Sequence, residues 1–461
     1  MKIGMRLVIC LLILLPSLSL DSSQSNAASS SANPVLAWNT FMGADSQDDS
    51  APGLAVDNWG NILVAGDSMA TWGSPVRPFT DDIDAFVAKF DPNGVRLWNT
   101  FLGCASTDRG LAVAAGSGGA VYVTGYSEGS WGNPVNPYTN ADIFIAKLDS
   151  NGNLLWNTFV GGSGGFDMAV SIVLDGMDNI YIAGTASTNW GTPRNPYSGG
   201  FSDGFAAKVS SSGVLQWHIF LGSPETDEAQ EIVLDGGGNL YILGYSNCPW
   251  GSPLIGWQGS WDAFLVKLDN DGYPVWLTFM GGVSEDKAFG MAVDGAGNIY
   301  VTGHSWATWG PPINAFIEGG SNAFVAKFGY TGFRYWNTFM GGVAMVYGSG
   351  IVLDSTGRIF VAGHSLGGWG NPIYPYAGNF DIYVAGLAAS GQYAWHTFLG
   401  SSDADYAVEI RLDTQANMYV SGNSRATWGA PIVDYGGVVN TLEGCLFKLA
   451  PYAIFLPLVI Q

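Results

Sequence analysis

The six residues Trp38 to Gly43, WNTFMG, return as WNTFLG at Trp98 and, lightly edited, at Trp156, Trp217, Trp276, Trp336 and Trp395. Successive copies lie 58 to 61 residues apart. A period of that length means an array of like units, so the usual division of a 461-residue chain into several domains does not apply.

Three more segments recur in step. A stretch such as GLAVDNWGNILVAG sets Asp57, Gly60 and Asn61 between two apolar, β-branched runs, the pattern of a β-hairpin. A longer loop holding TWGSP follows, and then the extended run DAFVAKFD. Each unit thus supplies four strands, lettered outward from the centre: the hairpin gives A and B, DAFVAKF gives C, and the Trp segment gives D. The 65 glycines, and 13% aromatic against 12% charged residues, suit many short strands joined by tight turns, with almost no helix.

Such units form either an open solenoid or a ring, and neither end of this chain looks like a capping unit. The ends are complementary instead: a D strand, Val35 to Met42, precedes any A strand, and the last unit stops at its own C strand, GCLFKLA. The expected fold is an all-β, seven-bladed β-propeller of four-stranded antiparallel blades over 35–450, its ring closed by the N-terminal strand completing the last blade. Residues 28–34 read as a flexible linker. The apolar tail 451–461 lacks the Trp and contains Pro457, so it reads as an extra packed segment or a sorting signal rather than as that closing strand. Each blade is too small to bury both faces alone, and the strand-D tryptophans, Trp38, Trp98, Trp156, Trp217, Trp276, Trp336 and Trp395, are expected to wedge it against a neighbour.

The segments DGAGNIYVTG, DAFLVKLD and WLTFMGG resemble the bacterial β-propeller repeat family known as SBBP repeats, and the likeness extends over nearly all of 35–450. It implies a secreted or surface propeller and no common activity. The second unit departs from the turn pattern, with Gly116 and Ala120 where Asp and Asn are expected.

Lys2 and Arg6 precede the apolar run LVICLLILLPSLSL, and small residues follow in SNAAS, so residues 1–27 read as a signal peptide and the protein as secreted, extracellular or surface-bound. Cys104, Cys248 and Cys445 are an odd number in widely separated units and give no disulfide framework; they read as small buried fillers. A formal net charge of −21 with singly scattered Lys and Arg argues against nucleic acid as a partner, and no insertion of the mature chain into a membrane is expected.

Two sets of polar residues recur. An acid follows the strand-D Trp at Asp49, Asp108, Asp167, Asp227, Asp286 and Asp405, and strand C carries Lys89, Lys147, Lys208, Lys267, Lys327 and Lys448. The sixth unit lacks both, having Gly386 in place of the lysine. Joint loss suggests contact, because either charge buried alone is strongly unfavourable. The expectation is a buried ion pair within six blades, reached across strand-B glycines such as Gly66 and Gly303. The rival reading, a ring of Asp holding calcium, is opposed by its regularity and by the lysines; no cofactor is expected.

The B–C loop carries Trp-Gly-x-Pro in every unit, at Trp72, Trp131, Trp190, Trp250, Trp309, Trp369 and Trp428, with a second aromatic seven residues on: Phe79, Tyr138, Tyr197, Trp257, Phe316, Tyr376 and Tyr435. Exposed, this ring would stack on sugars as a multivalent lectin; otherwise it stiffens the loops. His304 and His364 share one position in neighbouring units, and His218 and His396 replace the Asn after the Trp, but no third metal ligand accompanies either pair. No catalytic constellation stands out. The expected function is a non-catalytic binding or scaffold module, a monomer with an unknown protein or glycan partner; the alternatives are a carbohydrate-binding propeller using the Trp-Gly-x-Pro face and a propeller hydrolase or lyase. The last would need an axial pocket lined by unmatched His, Asp or Glu.

Overall fold

The computed structural model describes residues 33–44, 48–437 and 441–451. The signal-peptide reading, residues 28–32 of the linker and residues 452–461 of the tail lie outside them. Twenty-eight strands and one three-residue 3-10 turn, Ser117–Gly119, make up the regular structure, and no helix among the described residues is long and apolar enough to cross a membrane. The strands form seven four-stranded sheets. In the first blade they are A Asp49–Val56, B Ile62–Ser68, C Asp84–Phe90 and D Arg96–Leu102, hydrogen-bonded in that order. Seven apolar clusters hold the ring together, each made of side chains from neighbouring blades; one joins Leu63, Val87 and Leu102 of the first blade to Val123, Phe144 and Phe159 of the second.

The seventh blade is closed as expected. Val35–Met42 pairs antiparallel with Glu443–Ala450, from Val35 opposite Ala450 to Met42 opposite Gly444. Two segments some 400 residues apart in sequence therefore share one sheet, and no blade lacks a strand.

Six of the seven A–B turns are built on a first aspartate. Asp57 accepts from the backbone N–H of Trp59 and of Asn61 and from the Asn61 side chain. The second blade, which lacks that acid, borrows one: Asp178 of the third blade accepts from the Ser117 N–H at 3.0 Å and its hydroxyl at 2.6 Å.

The strand-B glycines have a different purpose from the one expected. Strand A carries a register shift near its centre, such as that between Ala169 and Ser171, and pushes a carbonyl against strand B. A Cβ on Gly66 would lie 1.8 Å from the Ser50 oxygen, and one on Gly303 1.9 Å from the Lys287 oxygen. The missing side chain makes room for this carbonyl and not for a lysine.

Strand D meets the neighbouring blade through its Trp. The Trp98 indole donates to the Ser150 carbonyl at 3.0 Å, and Trp276 to that of Tyr330 at 3.1 Å, both in the C–D turn of the next blade. A glycine in that turn lets the ring in: a Cβ on Gly272 would stand 2.7 Å from Trp217. Trp217 is buried, and its six counterparts are half-buried on the outer rim.

Candidate functional site

The Trp-Gly-x-Pro ring is packing. Trp72, Trp131, Trp190, Trp309, Trp369 and Trp428 are buried and Trp250 partly so, each edge-on to a strand-C aromatic such as Phe86, 5.0 Å from Trp72. The second aromatics, from Phe79 to Tyr435, are half-buried, six of the seven lying edge-on to a strand-D Phe. The loop they anchor runs back along strand D, with Val76 N–H donating to the Asn99 carbonyl and Phe101 N–H to that of Arg77. It covers the unpaired outer edge of the sheet, which is a sufficient reason for its presence in every blade. Asn99 donates to the Trp72 carbonyl; His218 and His396 bond the carbonyls of Trp190 and Trp369 in the same way while stacking on their rings, which makes these histidines structural. The six buried tryptophans are thus engaged within the protein.

The expected Asp–Lys pairs do not form, because the two residues stand at opposite ends of the blade. Asp49 lies opposite Ser68 and, beyond it, Asp84, whereas Lys89 is five residues further along strand C, roughly 16 Å away. The lysine is in register with a strand-B residue on one side and the strand-D Trp on the other, and Lys147, Lys208, Lys267, Lys327 and Lys448 each lie 4.8–5.4 Å from the centre of a tyrosine ring. In the first blade Leu63 replaces the tyrosine and Lys89 pairs with Asp57 at 2.9 Å. In the sixth, a Cβ at Gly386 would lie 2.4 Å from the Trp395 indole nitrogen, so a lysine has no room.

The acids have their own partners. Asp49, Asp108, Asp167, Asp227, Asp286 and Asp405 each accept a backbone N–H of the D–A connection, and the first residue of strand C, such as Asp84 or Asp203, accepts one from the end of the B–C loop. The two kinds meet between blades: a Cβ on Gly103 would lie 2.6 Å from Asp84 Oδ1 and 2.7 Å from Asp108 Oδ2. The acid missing from the sixth blade is Val346, and the fifth-blade residue facing its interface is Asn322, so both acids of that pair are replaced. Burial raises these carboxyls, Asp49, Asp167, Asp203 and Asp286 to about 7 and Asp108, Asp262, Asp381 and Asp405 to about 6. Among the described residues no group of three or more His, Cys, Asp or Glu is arranged to hold a metal ion.

One region abandons the repeat. At the fourth position of strand A the seven blades turn Pro52, Leu111, Val170, Gln230, Phe289, Ser349 and Val408 toward the axis, and these line a cavity of about 350 Å³. Its upper wall is Tyr347, Tyr406 and His364. At the next position strands A converge so closely that a Cβ on Gly350 would lie 3.0 Å from the Ile410 nitrogen. Small residues or Ser fill this throat in five blades, but the fourth and seventh place Glu231 and Glu409 there. Glu231 accepts from the Met291 N–H, and Glu409 pairs with Arg411 beneath it. Burial and then the charge of Glu409 push the Glu231 carboxyl well up; burial also raises Glu409, against the pull of Arg411.

Above the cavity the last variable layer is formed where strand A meets the residue after the strand-B glycine. Arg109 pairs with Asp67 at 3.4 Å, the Tyr245 hydroxyl donates to Glu228 at 2.5 Å, and Lys287 and His304 share Glu285 at 3.3 and 3.2 Å. Phe289, His304, Tyr347, His364 and Tyr406 continue as a chain of ring contacts, 4.7–5.7 Å between centres. Burial holds His364 down at about 4, so it is neutral near pH 7, and its enclosed Nδ1 has no hydrogen-bond partner. Of these residues only His304 and His364 stood out in the sequence; the rest are individually unremarkable. Their shared signal is disagreement among seven otherwise matching units.

The fold and this site define a class, a repeat β-propeller with a built axial cavity. Residues 276–308 match the SBBP family model, described as a beta-propeller repeat, and the chain is a seven-bladed propeller bearing that repeat. An uncharacterized WD repeat-containing protein, L264, of Acanthamoeba polyphaga mimivirus is 22% identical over 280 residues, 45% of this chain and 19% of that one. The regulatory protein FlaEY of Caulobacter vibrioides is 27% identical over 139 residues, 29% of this chain and 14% of its own. The chain thus spans about a fifth or less of the length of the curated relatives it matches. A crystal structure of puromycin hydrolase is similar at 12% identity and a TM-score of 0.49, covering 86% of this chain and 54% of the hydrolase.

Proposed function

We propose that the protein is an exported binding module that holds a small molecule in its axial cavity. The observation that supports this most is the concentration of unlike residues at the axis: the blades repeat where they pack and diverge where they surround about 350 Å³. That volume lies in the ordinary range for ligand sites, about 300–1,000 Å³, and its apolar and aromatic walls with a few polar groups have the usual composition. Export rests on the N-terminal charge pattern and apolar run, and the reading takes the chain as a monomer that needs no cofactor. Buried loop tryptophans remove the main support for a sugar-binding face. The test is a thermal-shift screen of a small-molecule library against the protein and a Ser349→Trp variant, whose indole fills the cavity. Ligands that stabilise the parent and not the variant are expected. Ligands that stabilise both equally would place binding elsewhere.

A second reading, a hydrolase or lyase, draws support from His364, a neutral imidazole in the cavity wall. It is separated from the first by incubating any ligand found with the protein and following its mass. A product that His364→Gln no longer forms, with binding retained, would make the protein an enzyme; an unchanged ligand leaves it a binder.

A further inference from the structure

The cavity's charge and walls narrow the ligand further than its volume does. Among the described residues, two acids, Glu231 and Glu409, and no lysine or arginine line the cavity, and in the layer above it Asp67, Glu228 and Glu285 stand with Arg109 and Lys287. Those two cations, and Arg411 beneath Glu409, are already engaged. Arg109 is held by Asp67, Lys287 by Glu285 and by the rings of Tyr245 and Trp261, and Arg411 by Glu409. Glu231 has no direct ion pair of its own among the described residues: it is 8% exposed, takes one backbone N–H, and the one cation whose charge it feels is Arg411, which is bonded to Glu409. A carboxylate enclosed in this way is costly without a counter-charge. An anionic ligand would add to the surplus and find no free cation. A neutral apolar ligand would strip the remaining water from Glu231 and return nothing. A cation does the opposite, and above the glutamates it meets the rings of Phe289, Tyr347 and Tyr406, whose electron-rich faces attract positive charge.

We propose that the axial cavity selects an organic ammonium, a protonated or quaternary amine bearing an apolar group, with the charge between Glu231 and Glu409 on one side and the rings of Phe289, Tyr347 and Tyr406 on the other, and the apolar part against those same rings. This rests on the cavity being the binding site, and it adds the chemical class of the ligand. Glu231 and Glu409 stand on the fourth and seventh blades and both line the cavity, so a ligand on the axis is flanked by the two, with the charge of Arg411 felt by each. The raised Glu231 carboxyl agrees with a site lacking its counter-ion.

The experiment is calorimetric titration of the full chain with benzyltrimethylammonium, benzyl alcohol and phenylacetate. The cation is expected to bind at least about tenfold more tightly than the alcohol, the scale of a desolvated cation–aromatic contact, and phenylacetate most weakly. Glu231→Gln should remove that preference and leave the alcohol unchanged. Tyr347→Leu, which removes a ring and no charge, should weaken the cation more than the alcohol, so the proposal remains testable if the first variant does not fold. Equal or tighter binding of the alcohol, or of phenylacetate, overturns the proposal, as does a cation affinity indifferent to both substitutions. The cavity reading survives each of those results if Ser349→Trp still abolishes binding of whichever probe is preferred. It fails with the proposal only when neither the probes nor the library ligands respond to Ser349→Trp.

Discussion

Trp217 and Lys267 show how differently two recurrent side chains contribute. Trp217 is buried between its own strand and the turn at Gly272, so Trp217→Ala leaves a large cavity and is expected to cost about 3–5 kcal/mol, measured by urea unfolding. Lys267 lies 5.4 Å from the centre of the Tyr241 ring, beside Trp276 and with no carboxylate bonded to it. Its charge adds only the roughly 0.5–1 kcal/mol of a partly exposed cation–aromatic contact, and much of its value is the alkyl stem laid between two rings. Lys267→Met, which keeps a stem, is therefore expected to cost less than about 1 kcal/mol by the same measurement. A loss near 3 kcal/mol would require a buried ion-pair partner at Lys267 after all.

At the scale of the element, the blade interface is where acidity enters. Eleven aspartates, from Asp49 and Asp84 round to Asp381 and Asp405, have carboxyls raised above 3.8 by burial. The folded state therefore holds protons that the unfolded chain has released, so stability from this ring is full below about pH 4 and declines as pH rises through the folded values of about 6 to 7. Four histidines act oppositely: burial lowers His218, His304, His364 and His396, and they favour folding more as pH rises toward 6.5. The aspartates outnumber them, so the thermal midpoint is expected to be higher at pH 4.5 than at pH 8. Asp203→Asn should flatten the slope, since Asn322 already fills the equivalent place and bonds the Ile317 N–H. A midpoint that climbs steadily from pH 4.5 to pH 8 would contradict this account.

Across the whole molecule, what could be read from the sequence was what repeats. Strand count, blade order and closure by Val35–Met42 follow from spacing, because every blade must solve one packing problem with one set of residues. Side-chain partnerships were harder to read. Asp49 and Lys89 vary together along the chain yet stand at opposite ends of a blade, and only the cross-strand register places Lys147 between Tyr122 and Trp156 and Asp108 beside Asp84. The axial residues left no recurring trace, since Glu231, Phe289 and His364 matter through being unlike their counterparts. Closure also has a mechanical side. Val35 and Ala450 are paired at one end of the closing sheet, so tension applied to the two chain ends loads its hydrogen bonds one after another, like a zipper, and never all together in shear. Drawn apart in an optical trap, the molecule should release Val35–Met42 in a first, low-force step, with the other six blades still intact, and re-seal when slackened.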